Sequence, residues 1–237
     1  MRLPFEIAGR PLILPLGLVL LACSSDLTLP DDGGGTDGPD AITVQDGDGQ
    51  DGTVGETLAT DLVVRVTSDG EPAAGQGVVF EADDGNGELA PDTTVTDGGG
   101  EATARWTLGS TPGQQSASAR LIAGGRLVRF TADAAVGPAA VLGLVSGDDQ
   151  QGVAFDPLPN PLVVEVTDRF GNPVAGVDVQ WSVTAGRGEL SDDEVETDAA
   201  GRAQVTWILG FFLGTQRAEA RVNGLDGSPV TFTAGIF

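Results

Sequence analysis

Apolar and polar residues alternate with a period of two in a series of short runs that begins after residue 40. In one run Leu162, Val164 and Val166 point one way, and Glu165 and Thr167 point the other way. This alternation is typical of strands with one buried face, and no stretch after the N-terminal segment has helical periodicity. The later runs have their inward residues at Val179, Trp181, Val183, Ala203, Val205, Trp207, Leu209, Ala218, Ala220, Val222, Val230, Phe232 and Ala234.

The whole pattern occurs twice along the chain. Residues 62–89 align with residues 162–190 with one inserted residue, and residues 96–109 align with residues 197–210. The spacing of about one hundred residues is that of a duplicated domain rather than a solenoid repeat. About seven short strands in each repeat, separated by Gly, Asn, Asp and Pro turns, predict an all-β chain with two tandem antiparallel β-sandwiches.

The second repeat carries a family resemblance in three segments. They are VTDRFGNPVAGVDVQWSV (166–183), AGRGELS (185–191) and TDAAGRAQVTWILG (197–210), and they resemble the bacterial immunoglobulin-like domains of group one, the invasin and intimin type. The first repeat is similar but looser, since SDGEP stands where the second repeat has DRFGNP. The resemblance implies an immunoglobulin-like sandwich used as a stalk or adhesive module, and it brings no catalytic residues with it.

These observations predict a first immunoglobulin-like domain over residues 41–133 and a second over residues 140–237. The joint between them is the short run Ala134–Ala140. Because the joint is so short, we expect a stiff connection rather than two loosely linked domains.

The first twenty-two residues have the pattern of a secretory signal peptide. Arg2 and Arg10 flank the charged region, and an apolar stretch follows from Pro11 to Ala22. That stretch is too short to cross a hydrocarbon core of ~30 Å as a helix, so residues 1–22 are expected to be a signal peptide that is removed by cleavage.

The signal sequence ends in Leu-Leu-Ala-Cys, which resembles a bacterial lipobox, and Cys23 is the only cysteine of the chain. The resemblance implies cleavage before Cys23 and lipidation of its thiol, while the alternative is a plain secretory signal with an incidental cysteine. Ser24 stands where an aspartate would be the familiar inner-membrane retention signal. By this resemblance we expect the outer membrane of a two-membrane bacterium, with its surface and periplasmic faces both open. Residues 23–40 are rich in Gly, Asp and Pro, which predicts a flexible acidic tether that starts at the lipidated cysteine.

The composition removes most catalytic chemistry. The chain has no His or Tyr, all 12 of its Lys and Arg residues are Arg, and its formal net charge is −23. The missing side chains exclude Ser-His-Asp triads, most zinc sites and Schiff bases, and the charge disfavours nucleic acid as a partner. Glu88 and Glu189 could be considered as a catalytic pair of carboxylates, but they occupy equivalent positions of the two repeats, and the duplication explains them better. We therefore expect a protein that is not an enzyme and needs no cofactor.

The segment DGDGQDG, residues 46–52, has the alternating acidic residues of many calcium loops. Asp46 and Asp48 are its candidate ligands, but Gln50 and Thr57 stand where an EF-hand loop needs further ligands. The second repeat has fewer acidic residues in the same place. This favours a polar loop that links the edge strand to the body of the domain, with no metal.

The two repeats differ most after their shared Trp-x-Leu-Gly sequence. Three polar turn residues of the first repeat, 110–112, are replaced in the second by Phe211, Phe212 and Leu213. Fully burying such side chains is worth ~1.5–3 kcal/mol each, so leaving them in water forfeits stability. Two interpretations remain open: the side chains fold back under a neighbouring loop or onto residues 236–237, or they form a tip that binds a partner.

The leading hypothesis is a non-enzymatic, lipid-anchored envelope protein whose two modules form a spacer or binding stalk. This protein would bind the membrane through the lipid anchor at Cys23. The alternative is a surface adhesin or carbohydrate-binding module that engages a protein or glycan through residues 211–213 or an exposed Arg such as Arg217. The inward phase of Trp181 and Trp207 weakens the glycan hypothesis, because sugar sites commonly stack exposed aromatic faces.

Overall fold

The structure is a computed structural model and describes residues 41–236. These residues form twenty strands, and none of them lies in a helix that is long and apolar enough to cross a membrane. The strands of the first repeat are β1 Ala41–Asp46, β2 Gln50–Thr53, β3 Leu62–Ser68, β4 Glu71–Pro72, β5 Gly77–Ala82, β6 Glu88–Ala90, β7 Thr93–Val95, β8 Glu101–Thr107, β9 Gly113–Leu121 and β10 Leu127–Ala135. Those of the second repeat are β11 Val141–Ser146, β12 Gln150–Gly152, β13 Leu162–Thr167, β14 Asp178–Ala185, β15 Glu189–Leu190, β16 Glu194–Glu196, β17 Arg202–Val205, β18 Trp207–Ile208, β19 Gln216–Arg221 and β20 Val230–Ile236.

Each repeat is a sandwich of facing sheets. In the first, β1-β3-β8-β6 with β4 beside β3 faces β2-β10-β9-β5-β7. In the second, β11-β13-β17 and the small β15-β18 sheet face β12-β20-β19-β14-β16. All strand pairs are antiparallel except β2 with β10 and β12 with β20. Two tandem all-β sandwiches are thus confirmed, with more and shorter strands than the sequence predicts, since the long runs are interrupted, as between β17 and β18 at Thr206.

Each sandwich encloses its own hydrophobic core. Trp106 and Trp207 occupy equivalent positions, and both are fully buried. The inward residues predicted for the second repeat are buried, except that Val183 and Val222 are only partly so. Burial of one face of each strand therefore holds each sandwich together, as the period-two pattern predicts.

The acidic segment 46–52 is only partly a loop, contrary to the sequence prediction. Its second half is strand β2, which pairs with β10 in the opposite sheet from β1. The chain changes sheets at a register shift after Val44, and Gly47 and Gly49 have φ of +87° and +69° there. Such positive φ values suit glycine, so the Gly residues of the segment serve the crossing between sheets.

A buried aspartate binds the linker between the two sandwiches. Asp168 is 1 % exposed, and its Oδ2 accepts hydrogen bonds from the N–H of Gly137 at 3.0 Å and from Nδ2 of Asn172 at 2.9 Å. Its Oδ1 accepts from the N–H of Phe170 and of Asn172. The carboxylate therefore shapes the turn 168–172, which we call the arm, and ties it to the linker.

The arm also contacts the first sandwich. Nη2 of Arg169 donates to the carbonyl oxygen of Gly55 at 3.3 Å, and Nδ2 of Asn172 donates to the carbonyl oxygen of Ser110 at 2.8 Å. The ring of Phe170 lies over Gly55, with the guanidinium of Arg169 at 4.6 Å from its centre. These contacts bridge the two sandwiches beside the linker.

Candidate functional site

The residues 211–213 lie in the loop between β18 and β19 and face solvent. Phe211, Phe212 and Leu213 are 55 %, 48 % and 87 % exposed, and the neighbouring Phe155 is 70 % exposed. The ring centres of Phe155 and Phe211 are 6.4 Å apart, and those of Phe211 and Phe212 are 4.9 Å apart. We call these four side chains the aromatic tip. The rings of Phe155, Phe211 and Phe212 stack on one another, and Leu213 is the most exposed of the four side chains.

A buried glutamine fixes the backbone beneath the tip. Gln216 is fully buried; its Oε1 accepts from the N–H of Gly210 at 2.9 Å, and its Nε2 donates to the carbonyl of the same residue at 2.9 Å and to that of Phe212 at 3.4 Å. Gln115 makes the equivalent bonds in the first sandwich. The same loop scaffold therefore carries polar side chains in one sandwich and large apolar ones in the other.

Phe155 was not found by the sequence analysis, although it is the most unusual residue of the tip. Its φ is +68°, and its N–H donates to the carbonyl of Leu209 at 2.9 Å. A bulky residue at positive φ is a conformational outlier that costs about 1–3 kcal/mol. An alignment of residues 53–58 with 153–158 contains the missed signal, because glycine in the first repeat becomes Phe155 in the second.

The turn beside the tip also differs between the sandwiches. In the first, the indole N–H of Trp106 donates to the carbonyl of Asn86 at 2.8 Å. In the second, Arg187 has a φ of +58° and its guanidinium lies 5.7 Å from the ring centre of Phe212. The buried indole N–H of Trp207 finds no acceptor within residues 41–236. The second turn thus has an arginine-ring contact where the first has a hydrogen bond to the core.

The predicted calcium candidate Asp48 is engaged in a hydrogen-bond clamp. Its Oδ1 accepts from the N–H of Thr131 at 2.8 Å and from the hydroxyl at 3.1 Å. Asp148 makes the same pair of bonds to Thr233. Burial alone would raise the pKa of Asp148, but the hydrogen bonds outweigh it and hold the pKa below its usual value. In both sandwiches the carboxylate joins the crossing segment to the last strand.

The remaining candidates are scattered. Asp46 accepts a hydrogen bond from the N–H of Gly47, and no group of three or more potential metal-ligating side chains occurs in the part of the chain that is described. Glu88 and Glu189 belong to different sandwiches, in β6 and β15, and Arg217 is an exposed residue of β19. The predicted signal peptide, Cys23 and the predicted tether lie outside the described residues.

The second repeat matches a known family. Residues 145–208 match the model of the bacterial Ig-like domain (group 1). Solved structures that resemble the chain include the D0-D1 domain of intimin, with 22 % identity and a TM-score of 0.35, covering 83 % of this chain and 95 % of that one. No curated protein sequence matches the chain.

Two further structures are those of bacterial adhesins. The Yersinia pseudotuberculosis adhesin InvE has 17 % identity and a TM-score of 0.38, and covers 82 % of this chain. The Escherichia coli adhesin FdeC has 18 % identity and a TM-score of 0.45, and covers 82 % of this chain. The chain spans 58 % and 63 % of these two structures. The family match over residues 145–208 confirms the resemblance of the second repeat to the bacterial immunoglobulin-like domains of group one.

Proposed function

We propose that this chain is a non-enzymatic, lipid-anchored protein of a bacterial cell envelope, in which two immunoglobulin-like sandwiches present the aromatic tip to a partner. Cys23 is the proposed site of lipidation, residues 23–40 the proposed tether, and residues 41–133 and 140–237 the two modules. The spacer role of the sandwiches and the binding role of the tip are parts of one function, because the sandwiches hold the tip away from the membrane, where a partner can reach it.

The observation that carries the proposal is the conformation of Phe155. Its left-handed backbone costs the folded state about 1–3 kcal/mol, and its side chain recovers little of this, since it is 70 % exposed. The stacked rings beside it are also about half exposed. Strained, exposed apolar residues that contribute little to stability are typical of contact surfaces.

The joint between the sandwiches supports the display role. The carboxylate of Asp168 binds both the linker at Gly137 and the arm, and the arm contacts Gly55 and Ser110 of the first sandwich. Bonds on both sides of the linker restrict its motion. The second sandwich, and the tip with it, is thereby held in a defined position on the first.

Crosslinking in living cells tests the binding role. A photoreactive benzophenone amino acid is placed at Leu213, with Ile122, an exposed apolar residue of the first sandwich, as the matched control position. We expect one discrete adduct from position 213 and none from 122. An excess of the soluble chain, residues 24–237, should suppress the adduct, while the same chain with the tip removed should not. Equal crosslinking from both positions would contradict a binding tip.

Two cell experiments test the anchor and the membrane face. Cys23→Ser should move the protein from the membrane fraction to the soluble fraction, and retention in the membrane would contradict lipidation. Protease added to intact cells should degrade a surface-exposed protein, which supports adhesion. Protection until the cells are lysed would instead favour a periplasmic scaffold, and the alternative of a surface adhesin would be wrong.

A further inference from the structure

We infer that the aromatic tip fits an apolar hollow on a protein partner, and that it rejects an immunoglobulin-like sandwich docked in the way the second sandwich docks on the first. The inference rests on the binding tip proposed above and names the kind of partner it takes. It follows from comparing the equivalent ends of the two sandwiches, of which one is already occupied within the chain.

The backbone is the same at the two ends. Gly55 has a φ of +70° and Phe155 a φ of +68°. The N–H of Gly55 donates to the carbonyls of Leu108 and Gly109, and the N–H of Phe155 donates to that of Leu209, the counterpart of Leu108. The two positions therefore differ in the side chain and not in the path of the chain.

In the first sandwich, this side-chain position is filled by the arm. A Cβ atom placed on Gly55 would lie 2.3 Å from Cζ of Phe170 and 2.9 Å from Nη2 of Arg169. Real Cβ atoms do not approach other heavy atoms so closely. A side chain at this position therefore requires the ring of Phe170 and the guanidinium of Arg169 to leave their present places, and Phe155 carries such a side chain.

The second contact of the joint meets a different surface at the tip. The backbone carbonyl of Ser110 accepts the hydrogen bond from Asn172, and its counterpart Phe211 adds a ring that stacks with those of Phe155 and Phe212. In addition, the first repeat has SDGEP in place of the arm, with neither Arg nor Phe. A second copy of the chain thus offers no free arm, and the internal joint cannot be repeated head to tail.

The side chains that remain determine the chemistry of the partner. The three rings and Leu213 carry no hydrogen-bonding groups, whereas sugar sites combine an apolar face with several polar side chains. The net charge of −23 opposes binding to anionic lipid surfaces. The guanidinium of Arg187 beside Phe212 adds a local positive charge to an acidic protein. The matching surface is an apolar hollow of a protein with a carboxylate at its rim.

The exclusion can be tested inside the chain by exchanging the two residues. Gly55→Phe should displace the ring of Phe170 from residue 55, so that the nuclear Overhauser contact between the ring protons of Phe170 and the α-proton of residue 55 is lost. Phe155→Gly should keep this contact at the wild-type strength, which controls for expression and folding. An unchanged contact in Gly55→Phe would show that a ring and the docked arm coexist, and the exclusion would be wrong.

The kind of partner is tested with three probes on the soluble chain, residues 24–237. The matched variant carries the first-repeat residues at the tip: Phe155→Gly, Phe211→Ser, Phe212→Thr and Leu213→Pro. From a library of displayed cyclic peptides, we expect binders with an apolar cluster and an acidic residue, which lose at least about tenfold in affinity on the variant. Phosphatidylcholine–phosphatidylglycerol vesicles and a glycan array should not bind.

The outcomes separate the inference from the proposed function. Vesicle or glycan binding that depends on the tip would overturn the inference while keeping a binding tip, as would sedimentation of the wild-type chain as a dimer that the variant abolishes. Peptides that bind wild type and variant equally would overturn the inference as well. The proposed function fails separately, if crosslinking from position 213 in cells is indistinguishable from that at Ile122.

Discussion

Exchanging the loop residues 211–213 for their first-repeat counterparts should leave the second sandwich folded. The change is Phe211→Ser, Phe212→Thr and Leu213→Pro. The exposures of 55 %, 48 % and 87 % leave about half, half and an eighth of these side chains buried. Since full burial is worth ~1.5–3 kcal/mol for each side chain, the three together contribute at most about 2–3 kcal/mol.

Two further effects limit the loss. The side chain of Gln216 bonds the loop backbone independently of the side chains at 211–213, and proline restricts the unfolded chain by about 0.4–1 kcal/mol. We therefore expect the free energy of unfolding to fall by less than about 3 kcal/mol, out of a typical 5–15 kcal/mol for a domain.

The assay is urea unfolding followed by tryptophan fluorescence, in a Trp106→Phe background so that Trp181 and Trp207 report on the second sandwich alone. The midpoint should shift slightly and the m-value should not change. Phe232→Ala, at a fully buried position, is the contrasting variant and should cost about 3–5 kcal/mol. A loop exchange that costs as much as Phe232→Ala would show that residues 211–213 are core, and the binding tip would be wrong.

Other predictions follow from the buried and clamped polar groups. Gln216→Leu should lower the free energy of unfolding by about 2–4 kcal/mol in urea titrations, because the N–H and carbonyl of Gly210 lose their partner inside the protein. Burial would raise the pKa of Asp168, but its four hydrogen bonds outweigh burial and hold the pKa below its usual value. Ionised Asp168 therefore stabilises the fold at a pH above the pKa of the unfolded chain. This contribution is lost as the pH falls through the lower pKa of the folded chain. Amide protection of the arm should therefore fall below about pH 4, and Asp168→Asn should remove this pH dependence. Asp48→Ala should cost about 1 kcal/mol through the bonds to Thr131, and millimolar calcium should leave the melting temperature of the wild type unchanged; a calcium-dependent rise would restore the metal hypothesis.

The period-two pattern predicts the fold because burial of one strand face is a local property of the sequence. Trp106 and Trp207 are inward by phase and are buried in the structure. The crossing from β1 to β2 is less predictable, since glycines and acidic residues indicate a loop while the parallel pairing with β10 depends on residues some eighty positions away. The hydrogen bonds from Thr131 to Asp48 could not be predicted either, because the two residues are far apart in the sequence.

The sequence predicts some residues of the aromatic tip but not all of them. Phe211, Phe212 and Leu213 stand out because large apolar residues replace polar ones in a turn. Phe155 stands out only when its counterpart Gly55 is known to be left-handed, which is a property of the backbone. Whether such side chains fold back or stay in water depends on the room beneath them, and the sequence does not contain that information.

The parallel pairing of β2 with β10 and of β12 with β20 has a mechanical consequence. When one strand is pulled from its beginning and its parallel neighbour from its end, the two slide along each other, and all the hydrogen bonds between them are loaded at once. An antiparallel pair pulled from adjacent ends unzips one bond at a time. In both sandwiches this parallel pair joins the segment near the start of the sandwich to its last strand. Under tension along the chain, we expect the hydrogen bonds of these two pairs to resist the separation of the strands together rather than one after another.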